Sequence, residues 1–215
     1  MYKAAIFDLD GTLLDTSRTI HSVLLKSLKT FSLPEISLND TVRFVGNGAR
    51  KLVERAVGEN SPELIERVYK DYSERFATCS NELSTLYEGE AETLENLKKN
   101  GILLAIVTNK PQRAGIVVYN EFFAKFGFRE VLCQTETVPL KPNPTSTCQI
   151  IQKYGLNKNE CIFVGDGETD VQTAANAGID CVSVLWGFRS YEQLKSSGAK
   201  KFVADYKELE KVILG

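Results

Sequence analysis

The chain has 215 residues, of which 43% are hydrophobic and 25% are charged, and its formal net charge at pH 7 is −2. This length suits one domain, with or without an inserted smaller domain, and the apolar fraction is enough to fill a core. The charge lacks the basic excess of nucleic-acid-binding proteins, and no apolar run is long enough for a signal peptide or a membrane span. We therefore expect a cytoplasmic protein, a monomer or homodimer, with no nucleic-acid or membrane partner.

Apolar runs of strand length recur along the chain, and from residue 90 onward helical patterns separate them. The predicted strands are Ala4–Phe7, Ile102–Thr108, Val131–Gln134, Cys161–Val164, Cys181–Leu185 and a weaker Lys201–Ala204. The predicted helices of this part are Glu92–Lys99, Arg113–Phe126, Thr145–Tyr154 and Thr169–Ala177. Strands that are apolar throughout and alternate with helices predict an α/β fold with a doubly wound parallel sheet.

The segment between the first two of these strands breaks the alternation. From about Ser17 to Leu86 it shows helical patterns only, and it is far longer than an ordinary crossover. Two apolar stripes mark it: Ile20, Val23, Leu24, Leu28 and Phe31, then Leu64, Ile65, Val68, Tyr72 and Phe76. We predict an all-helical cap domain at 17–86, inserted into a catalytic core formed by 1–16 and 87–215. The hinges are expected near Asp15–Ser17 and Leu86–Gly89.

The first predicted strand ends in two aspartates, Asp8 and Asp10, which Gly11 follows. Alternate residues of an extended chain point to the same side, so both carboxylates are expected to face one point. Neighbouring carboxylates repel each other unless a cation lies between them. Asp-Gly between apolar residues is also a hairpin-turn pattern, with Leu13 and Leu14 starting a returning strand, and the motif alone does not decide between the two.

A second acidic cluster follows the fourth predicted strand, where Asp166 and Asp170 lie in the stretch Gly165–Asp170, GDGETD. Ligands of open parallel sheets bind beyond the carboxyl ends of the strands, so acidic groups from two strands can converge on one ion. Oxygen ligands without histidine or cysteine favour Mg²⁺ over a transition metal. The same stretch also suits a turn and a helix N-cap, a role that is compatible with metal binding.

Thr108, Asn109 and Lys141 are candidate phosphate-binding residues. Thr108 and Asn109 end the second predicted strand at an expected strand-to-helix turn, where a hydroxyl and free backbone amides suit a phosphate oxygen. Lys141 precedes a predicted helix, and beside clustered carboxylates its charge would hold a phosphate dianion. Taken singly, these residues are also ordinary turn residues and a solvated lysine.

Other catalytic classes lack their signatures in this chain. The only histidine is His21, which excludes a two-histidine zinc site, and no cysteine precedes an arginine at the spacing of a cysteine-dependent phosphatase. The five cysteines form no CxxC pair, and neither a GxSxG elbow nor a phosphate-binding P-loop occurs. These absences favour chemistry by the aspartates.

Together the motifs resemble those of the haloacid dehalogenase-like (HAD) hydrolase superfamily, in order and spacing and over essentially the whole chain. They are DxDGT at Asp8–Thr12, the strand-end Thr108, Lys141, and GDxxxD at Gly165–Asp170. Further stretches look like bacterial phosphoglycolate phosphatases and their close relatives: Gly11–Asp15, Val45–Ala56, Val107–Pro111 and Lys141–Pro144. Gly167 departs from that pattern, since these relatives often carry Ser or Thr there.

The resemblance implies a Mg²⁺-dependent phosphomonoester hydrolase with a Rossmann-like core, a helical cap and a small phosphorylated metabolite as substrate. Asp8 would be the nucleophile that forms an aspartyl-phosphate, and Asp10 would be the general acid and base. The metal would be bound by the Asp8 carboxylate, the Asp10 backbone carbonyl and Asp166, with Asp170 as a direct or water-mediated partner. Thr108, the amide of Asn109 and Lys141 would hold the phosphoryl oxygens.

Substrate choice is expected to lie with the cap. Gly46, Asn47, Gly48 and Arg50 are candidate substrate-binding residues, with Lys110 on the core side, because glycines permit close approach and a cation can hold a substrate carboxylate. The alternative is a helix-connecting loop with a surface arginine. Other activities of the superfamily stay open, namely pyrophosphatase, nucleotidase, sugar phosphatase and phosphomutase. So does a non-enzymatic sensor of phosphorylated ligands.

Overall fold

A parallel sheet organises most of the chain, and the computed structural model describes all residues from Met1 to Gly215. The eight strands in chain order are β1 (Ala4–Phe7), β2 (Leu14–Asp15), β3 (Thr85–Leu86), β4 (Leu103–Pro111), β5 (Glu130–Gln134), β6 (Cys161–Gly165), β7 (Asp180–Val184) and β8 (Phe202–Val203). Six of them form one sheet in the order β5-β4-β1-β6-β7-β8, in which every neighbouring pair is parallel. The predicted doubly wound parallel sheet is confirmed.

Ten α-helices accompany the strands. They are α1 (Ser17–Thr30), α2 (Leu38–Phe44), α3 (Gly48–Val57), α4 (Pro62–Ala77), α5 (Glu90–Lys99), α6 (Gln112–Val118), α7 (Thr145–Lys153), α8 (Glu168–Ala177), α9 (Tyr191–Ser196) and α10 (Tyr206–Leu214). Both faces of the sheet are covered: Ala5 and Phe7 of β1 lie in one buried cluster and Ile6 lies in another. Burial on both faces explains why the strands are apolar throughout. No helix combines the length and apolar character needed to cross a bilayer.

Two predicted elements differ from the structure in a way that affects the site. Strand β4 runs on to Pro111, with irregular pairing between Val107 and Pro111, so Thr108 and Asn109 lie inside a strand instead of at a strand-to-helix turn. The helix predicted at Arg113–Phe126 is α-helical only to Val118. It continues as a wider π-helical turn and a short 3₁₀ turn.

The four helices between β2 and β3 bury their apolar stripes against one another. Eleven buried residues form this cluster, ten from these helices and Ala114 from α6, and Leu24, Val53 and Val68 are fully covered. Helix α4 begins where Ser61 accepts a hydrogen bond from the Leu64 amide, a common N-cap arrangement. These helices occupy the segment expected to form the cap, and the domain boundaries at 16/17 and 86/87 stay a prediction.

The chain passes from the sheet to the helical segment through β2 and returns through β3, and these two short strands pair in antiparallel fashion. Leu14 of β2 lies opposite Leu86 of β3, and Asp15 lies opposite Thr85. The sequence did not predict this pair, because strands of two residues show no periodicity. Leu14 therefore pairs with β3 and does not start a returning strand beside β1, as the hairpin alternative required.

The order of the strands places β1 at the centre of the sheet. Strand β4 lies on one side of it and β6 on the other, with Phe7 in register with Ile106 and Val164. The chain continues from β1 into Asp8 and from β6 into Asp166. The carboxyl ends of these three neighbouring strands form the edge at which ligands of open α/β sheets bind.

Candidate active site

Three aspartates meet at the carboxyl edge of the sheet. Asp8 follows β1, Asp166 follows β6, and Asp170 lies in the first turn of α8. One carboxylate oxygen from each lies within 4.8 Å of the others. Asp166 and Asp170 are buried, with 4% and 1% of their surfaces exposed. The two acidic strand ends identified in the sequence are thus brought together.

A buried lysine supplies the only ammonium paired with these carboxylates. The Nζ atom of Lys141 lies 2.8 Å from Oδ1 of Asp8 and 2.7 Å from Oδ1 of Asp170. Burial by itself would lower the pKa of Lys141, but the charges of Asp170 and Asp8 outweigh it and leave that pKa raised. Lys141 therefore stays charged, and one positive charge faces three carboxylates.

The excess of negative charge contributes to the raised pKa values of the aspartates. Burial raises the pKa of Asp8 to about 7, with Lys141 opposing the shift and Asp170 adding to it. Burial, followed by the charges of Asp170 and Asp8, raises the pKa of Asp166 to about 8. A cluster of carboxylate oxygens that holds protons this tightly is matched by a hard divalent cation, and the oxygen-only donor set suits Mg²⁺.

Asp166 is held rigidly by neighbours that the sequence did not single out. Its Oδ1 accepts a hydrogen bond of 3.0 Å from the Thr12 hydroxyl, and its Oδ2 accepts one of 2.7 Å from the Phe188 amide. The backbones of Gly11 and Gly187 press against the same side chain, so a β-carbon on either would overlap it. Both positions require glycine, because a residue with a β-carbon would push the Asp166 carboxylate out of its place.

Asp10 lies apart from the acidic cluster and faces the cavity. Its Oδ1 accepts hydrogen bonds of 2.7 Å from the Thr16 hydroxyl and from Nζ of Lys110. The Lys110 side chain is 2% exposed, and its Nζ also lies 4.4 Å from the centre of the Phe76 ring of α4. Asp10 and Lys110 thus form a buried ion pair beneath the inserted helices.

A cavity of about 50 Å³ separates the sheet edge from the inserted helices. The core side is mainly polar, with Asp8, Asp10, Thr108, Asn109 and Lys110 beside Pro111. The helical side is mainly apolar: Ile20, Val45, Gly46, Gly48, Ala49, Leu52, Tyr72 and Phe76. The cavity therefore has a charged floor and an apolar roof.

Asn109 connects the two sides of the cavity through its side chain. Its Oδ1 accepts a hydrogen bond of 2.7 Å from the Lys141 amide, and its Nδ2 donates to the carbonyls of Gly46 and Lys141 at 2.9 and 3.1 Å. The sequence suggested only its backbone amide as a phosphate donor. Thr108 is buried next to it, and its hydroxyl accepts a hydrogen bond from the Lys110 amide.

The structure separates the four candidate substrate-binding residues of the inserted segment. Gly46 and Gly48 line the cavity, whereas Asn47 and Arg50 do not. The Asn47 side chain accepts a hydrogen bond from Arg55, and Arg50 pairs with Glu66 at 2.5 Å on the exposed surface. Lys110 is consequently the cation that lines the cavity.

Arg189 is a further residue that the sequence reading missed. It is 9% exposed and lies in the loop after β7, from which its guanidinium reaches both Glu168 and the inserted helices. The signal that could have found it is its position, since the stretch WGFR at 186–189 follows the carboxyl end of a strand, as the acidic motifs do.

These features are typical of an α/β enzyme whose active site combines carboxylate oxygen ligands, a buried lysine and a covered cavity. The chain belongs to the haloacid dehalogenase-like hydrolase family, whose sequence model matches residues 5–184.

Comparisons with known proteins agree with this assignment. The chain is 30% identical over 220 residues to the phosphoglycolate phosphatase of Mannheimia succiniciproducens, covering 99% of this chain and 98% of that protein. It is 31% identical over 216 residues to the phosphoglycolate phosphatase of Haemophilus influenzae, covering 97% and 96%.

Solved structures of the same kind superpose along nearly the whole chain. A protein of Lactobacillus delbrueckii subsp. bulgaricus, provisionally assigned as a phosphoglycolate phosphatase, gives a TM-score of 0.94 at 31% identity and covers 100% of this chain and 99% of its own. A predicted phosphoglycolate phosphatase of Haemophilus somnus gives 0.89 at 29% identity, covering 98% and 97%.

Proposed function

We propose that the protein is a Mg²⁺-dependent phosphatase that hydrolyses a small phosphomonoester through an aspartyl-phosphate on Asp8. The observation that carries the proposal is the placement of Asp8, which joins a buried acidic cluster on one side and lines a covered cavity on the other. Membership of a hydrolase family and relatives named phosphoglycolate phosphatase support the same reaction class.

The residues present fit a magnesium ion. Asp8 and Asp166 would hold it through carboxylate oxygens, together with the backbone carbonyl of Asp10, while Asp170 acts directly or through water. Both Asp170 oxygens already have partners, since Oδ1 lies 2.7 Å from Lys141 and Oδ2 accepts a hydrogen bond from the Gly167 amide. When bound, the ion supplies positive charge that ionises these carboxylates and offsets the charge of a phosphate group.

Asp8 is oriented for attack on phosphorus. Its Oδ1 accepts hydrogen bonds from the Leu9 amide at 2.7 Å and is paired with Lys141, while no hydrogen bond occupies Oδ2. An oxygen of the Asp8 carboxylate forms the new bond to phosphorus as the bond between phosphorus and the ester oxygen breaks. The ester oxygen leaves with the bonding electron pair. Lys141 and the Thr108 hydroxyl hold the phosphoryl oxygens during the transfer.

Asp10 handles the protons of both steps. It gives a proton to the departing alkoxide and later takes one from the water that attacks phosphorus, which releases inorganic phosphate and restores the Asp8 carboxylate. Thr16 and Lys110 fix its side chain at the cavity floor. Because the cavity is roofed by apolar residues, bulk water is kept from the aspartyl-phosphate until the leaving group has departed.

The size of the cavity and the position of Lys110 indicate the class of substrate. Its small volume of about 50 Å³ suits a short leaving group. Lys110 is a buried cation beside the leaving-group side of Asp10 and can bind a carboxylate that replaces its contact with Asp10. We therefore assign a short phosphorylated carboxylic acid, with 2-phosphoglycolate as the first compound to test.

The test is phosphate release from a panel of esters with and without Mg²⁺. The panel holds 2-phosphoglycolate, sugar phosphates, nucleoside monophosphates and pyrophosphate, and the enzymes are the wild type, Asp8→Asn and Asp40→Asn. Asp40 is a half-exposed acid in the first turn of α2, away from the cavity, and serves as the matched control. Release that requires Mg²⁺, falls roughly 10⁴-fold in Asp8→Asn and persists in Asp40→Asn is the expected result. Equal release by wild type and Asp8→Asn would rule out this nucleophile.

A further inference from the structure

Arg189 makes four hydrogen bonds, two within the core and two to the inserted helical segment. Its Nε donates to both carboxylate oxygens of Glu168, at 3.2 and 3.0 Å. Its Nη1 donates to the carbonyl of Val42 at 2.9 Å and its Nη2 to the carbonyl of Val45 at 2.5 Å. A single buried guanidinium thus ties the loop after β7 to the first turn of α8 and to the end of α2.

Both ends of this link adjoin parts of the site. Glu168 lies between the two acids Asp166 and Asp170 in the chain. Val45 precedes Gly46, which lines the cavity with a positive φ of 116° and accepts a hydrogen bond from Asn109. Phe188, the neighbour of Arg189, donates its amide to Asp166. Displacing Arg189 therefore affects the roof of the cavity at one end and the acidic cluster at the other.

The contact between Arg189 and the carbonyls of Val42 and Val45 is of a kind that can form and break. Carbonyl groups at a helix end carry partial negative charge and lack partners within the helix, so they suit a guanidinium. Glu168, 38% exposed in its side chain, would still neutralise Arg189 if the carbonyls of Val42 and Val45 moved away. Opening the roof would thus leave no buried charge unpaired, which keeps its cost modest.

We propose that Arg189 is a positioning residue that holds the roof of the cavity over the acidic cluster when the two parts are closed. It acts by fixing the segment at 42–46, so that Gly46 and Gly48 meet the leaving group while Asp8 reacts. The proposal rests on the phosphatase activity proposed above. It concerns how the substrate is enclosed and leaves the identity of the nucleophile untouched.

The experiment compares two substrates in Arg189→Met and Arg189→Lys. One is 2-phosphoglycolate, whose short leaving group is enclosed. The other is p-nitrophenyl phosphate, whose leaving group is bulky and departs without a proton. In Arg189→Met, kcat/KM for 2-phosphoglycolate should fall roughly 10- to 100-fold, as expected for losing hydrogen bonds to a charged group, while that for p-nitrophenyl phosphate stays within a few-fold. Arg189→Lys should fall between, because one ammonium cannot reach both carbonyls and Glu168 in the same geometry.

Hydrogen exchange provides a readout that does not depend on activity. In Arg189→Met, the amides of 42–50 should exchange faster while those of β1, β4 and β6 keep their protection. Arg75→Met is the control, because Arg75 pairs with Asp71 inside α4, and it should change neither the exchange of 42–50 nor the substrate ratio.

The outcomes separate the proposal from the function on which it rests. Equal losses with both substrates, or unchanged exchange at 42–50 in both Arg189 variants, would overturn the positioning role. A wild-type enzyme without phosphatase activity would overturn the proposed function. Faster exchange at 42–50 in Arg189→Met would, in that case, still support the contact as the element that holds the roof.

Discussion

The Nζ atom of Lys141 lies between Asp8 and Asp170, 2.8 Å from one carboxylate and 2.7 Å from the other. This lysine is the local counter-charge of a buried acidic cluster and stands beside the proposed nucleophile. It therefore serves two purposes, since it stabilises the fold at the carboxyl edge of the sheet and would hold a phosphate group during the reaction.

Lys141→Met should abolish activity and weaken the fold. Without the ammonium, the carboxylates of Asp8 and Asp170 repel each other, and breaking a buried pair of this kind costs about 3 to 5 kcal/mol of unfolding free energy. Part of that loss should return when Mg²⁺ is added, because the ion replaces the missing positive charge. Denaturant unfolding with and without Mg²⁺ measures both effects, and Lys153→Met, which removes an exposed pair with Glu130, is the control.

Mg²⁺ should bind more tightly as the pH rises through 7 and 8. Burial raises the pKa of Asp8 to about 7 and that of Asp166 to about 8, so below these values the cluster holds protons that the ion must displace. Calorimetric titration in buffers of different ionisation enthalpy measures the protons released. Release should be greatest near pH 6 and nearly absent near pH 9, and an affinity that does not change over this range would contradict the prediction.

Gly187→Ala should impair metal binding although it replaces no proposed ligand. The added β-carbon would overlap the side chain of Asp166 and displace its carboxylate. We expect Mg²⁺ affinity to fall roughly 10- to 100-fold, the range seen when residues that orient metal ligands are changed. Gly58→Ala is the control: its φ of 71° makes alanine strained, but nothing lies within 4 Å, so it should cost stability and leave metal binding intact.

Lys110→Met should change substrate preference more than chemistry. If Lys110 binds the substrate carboxylate, kcat/KM for 2-phosphoglycolate should fall roughly 10- to 100-fold further than that for ethyl phosphate, which lacks a carboxylate and loses only the contribution of the Asp10 contact. The ratio of the two substrates is the informative quantity, because loss of the Asp10 contact affects both alike. An equal loss of kcat/KM for both substrates would mean that Lys110 only positions Asp10 and does not bind the substrate carboxylate.

Glu90→Gln should make the fold less sensitive to alkaline pH. Glu90 is 1% exposed, neither of its oxygens makes a hydrogen bond, and burial raises its pKa from 4.5 to about 9. A raised pKa in the folded state means that stability is fully present below pH 4.5 and is lost as the pH climbs to 9. Unfolding free energies at pH 5 and pH 9 should therefore differ by several kcal/mol less in the variant, since each unit of pKa shift corresponds to about 1.4 kcal/mol.

The sequence predicted the sheet and the acidic cluster for a physical reason. Parallel strands that are buried on both faces are apolar throughout, and their carboxyl ends meet at one edge, so Asp8 and Asp166 could be placed together without a structure. Lys141 was singled out because a cation beside clustered carboxylates can hold a phosphate, and Thr108 because its hydroxyl ends a predicted strand at the same edge.

The remaining features depend on contacts between distant segments. Arg50 and Lys110 were both candidate cations in the sequence, and only the packing of α3 against β4 puts Lys110 in the cavity and Arg50 on the surface. Arg189 acts through backbone carbonyls of another segment, and Gly187 acts by leaving space for the Asp166 side chain; periodicity reveals neither contact. The pair of β2 and β3 is too short to produce a pattern.

The most direct test of the account is whether a phosphoryl group becomes attached to Asp8. Asp10→Asn mixed with acetyl phosphate and Mg²⁺ should be phosphorylated, because acetate leaves without a proton, and should then stall, because no base activates water. Intact-mass spectrometry should show a gain of one phosphoryl group, mapped to the peptide that contains Asp8, and no gain in Asp8→Asn combined with Asp10→Asn. A phosphoryl group on another residue, or none on Asp10→Asn while the wild type turns over acetyl phosphate, would contradict the account.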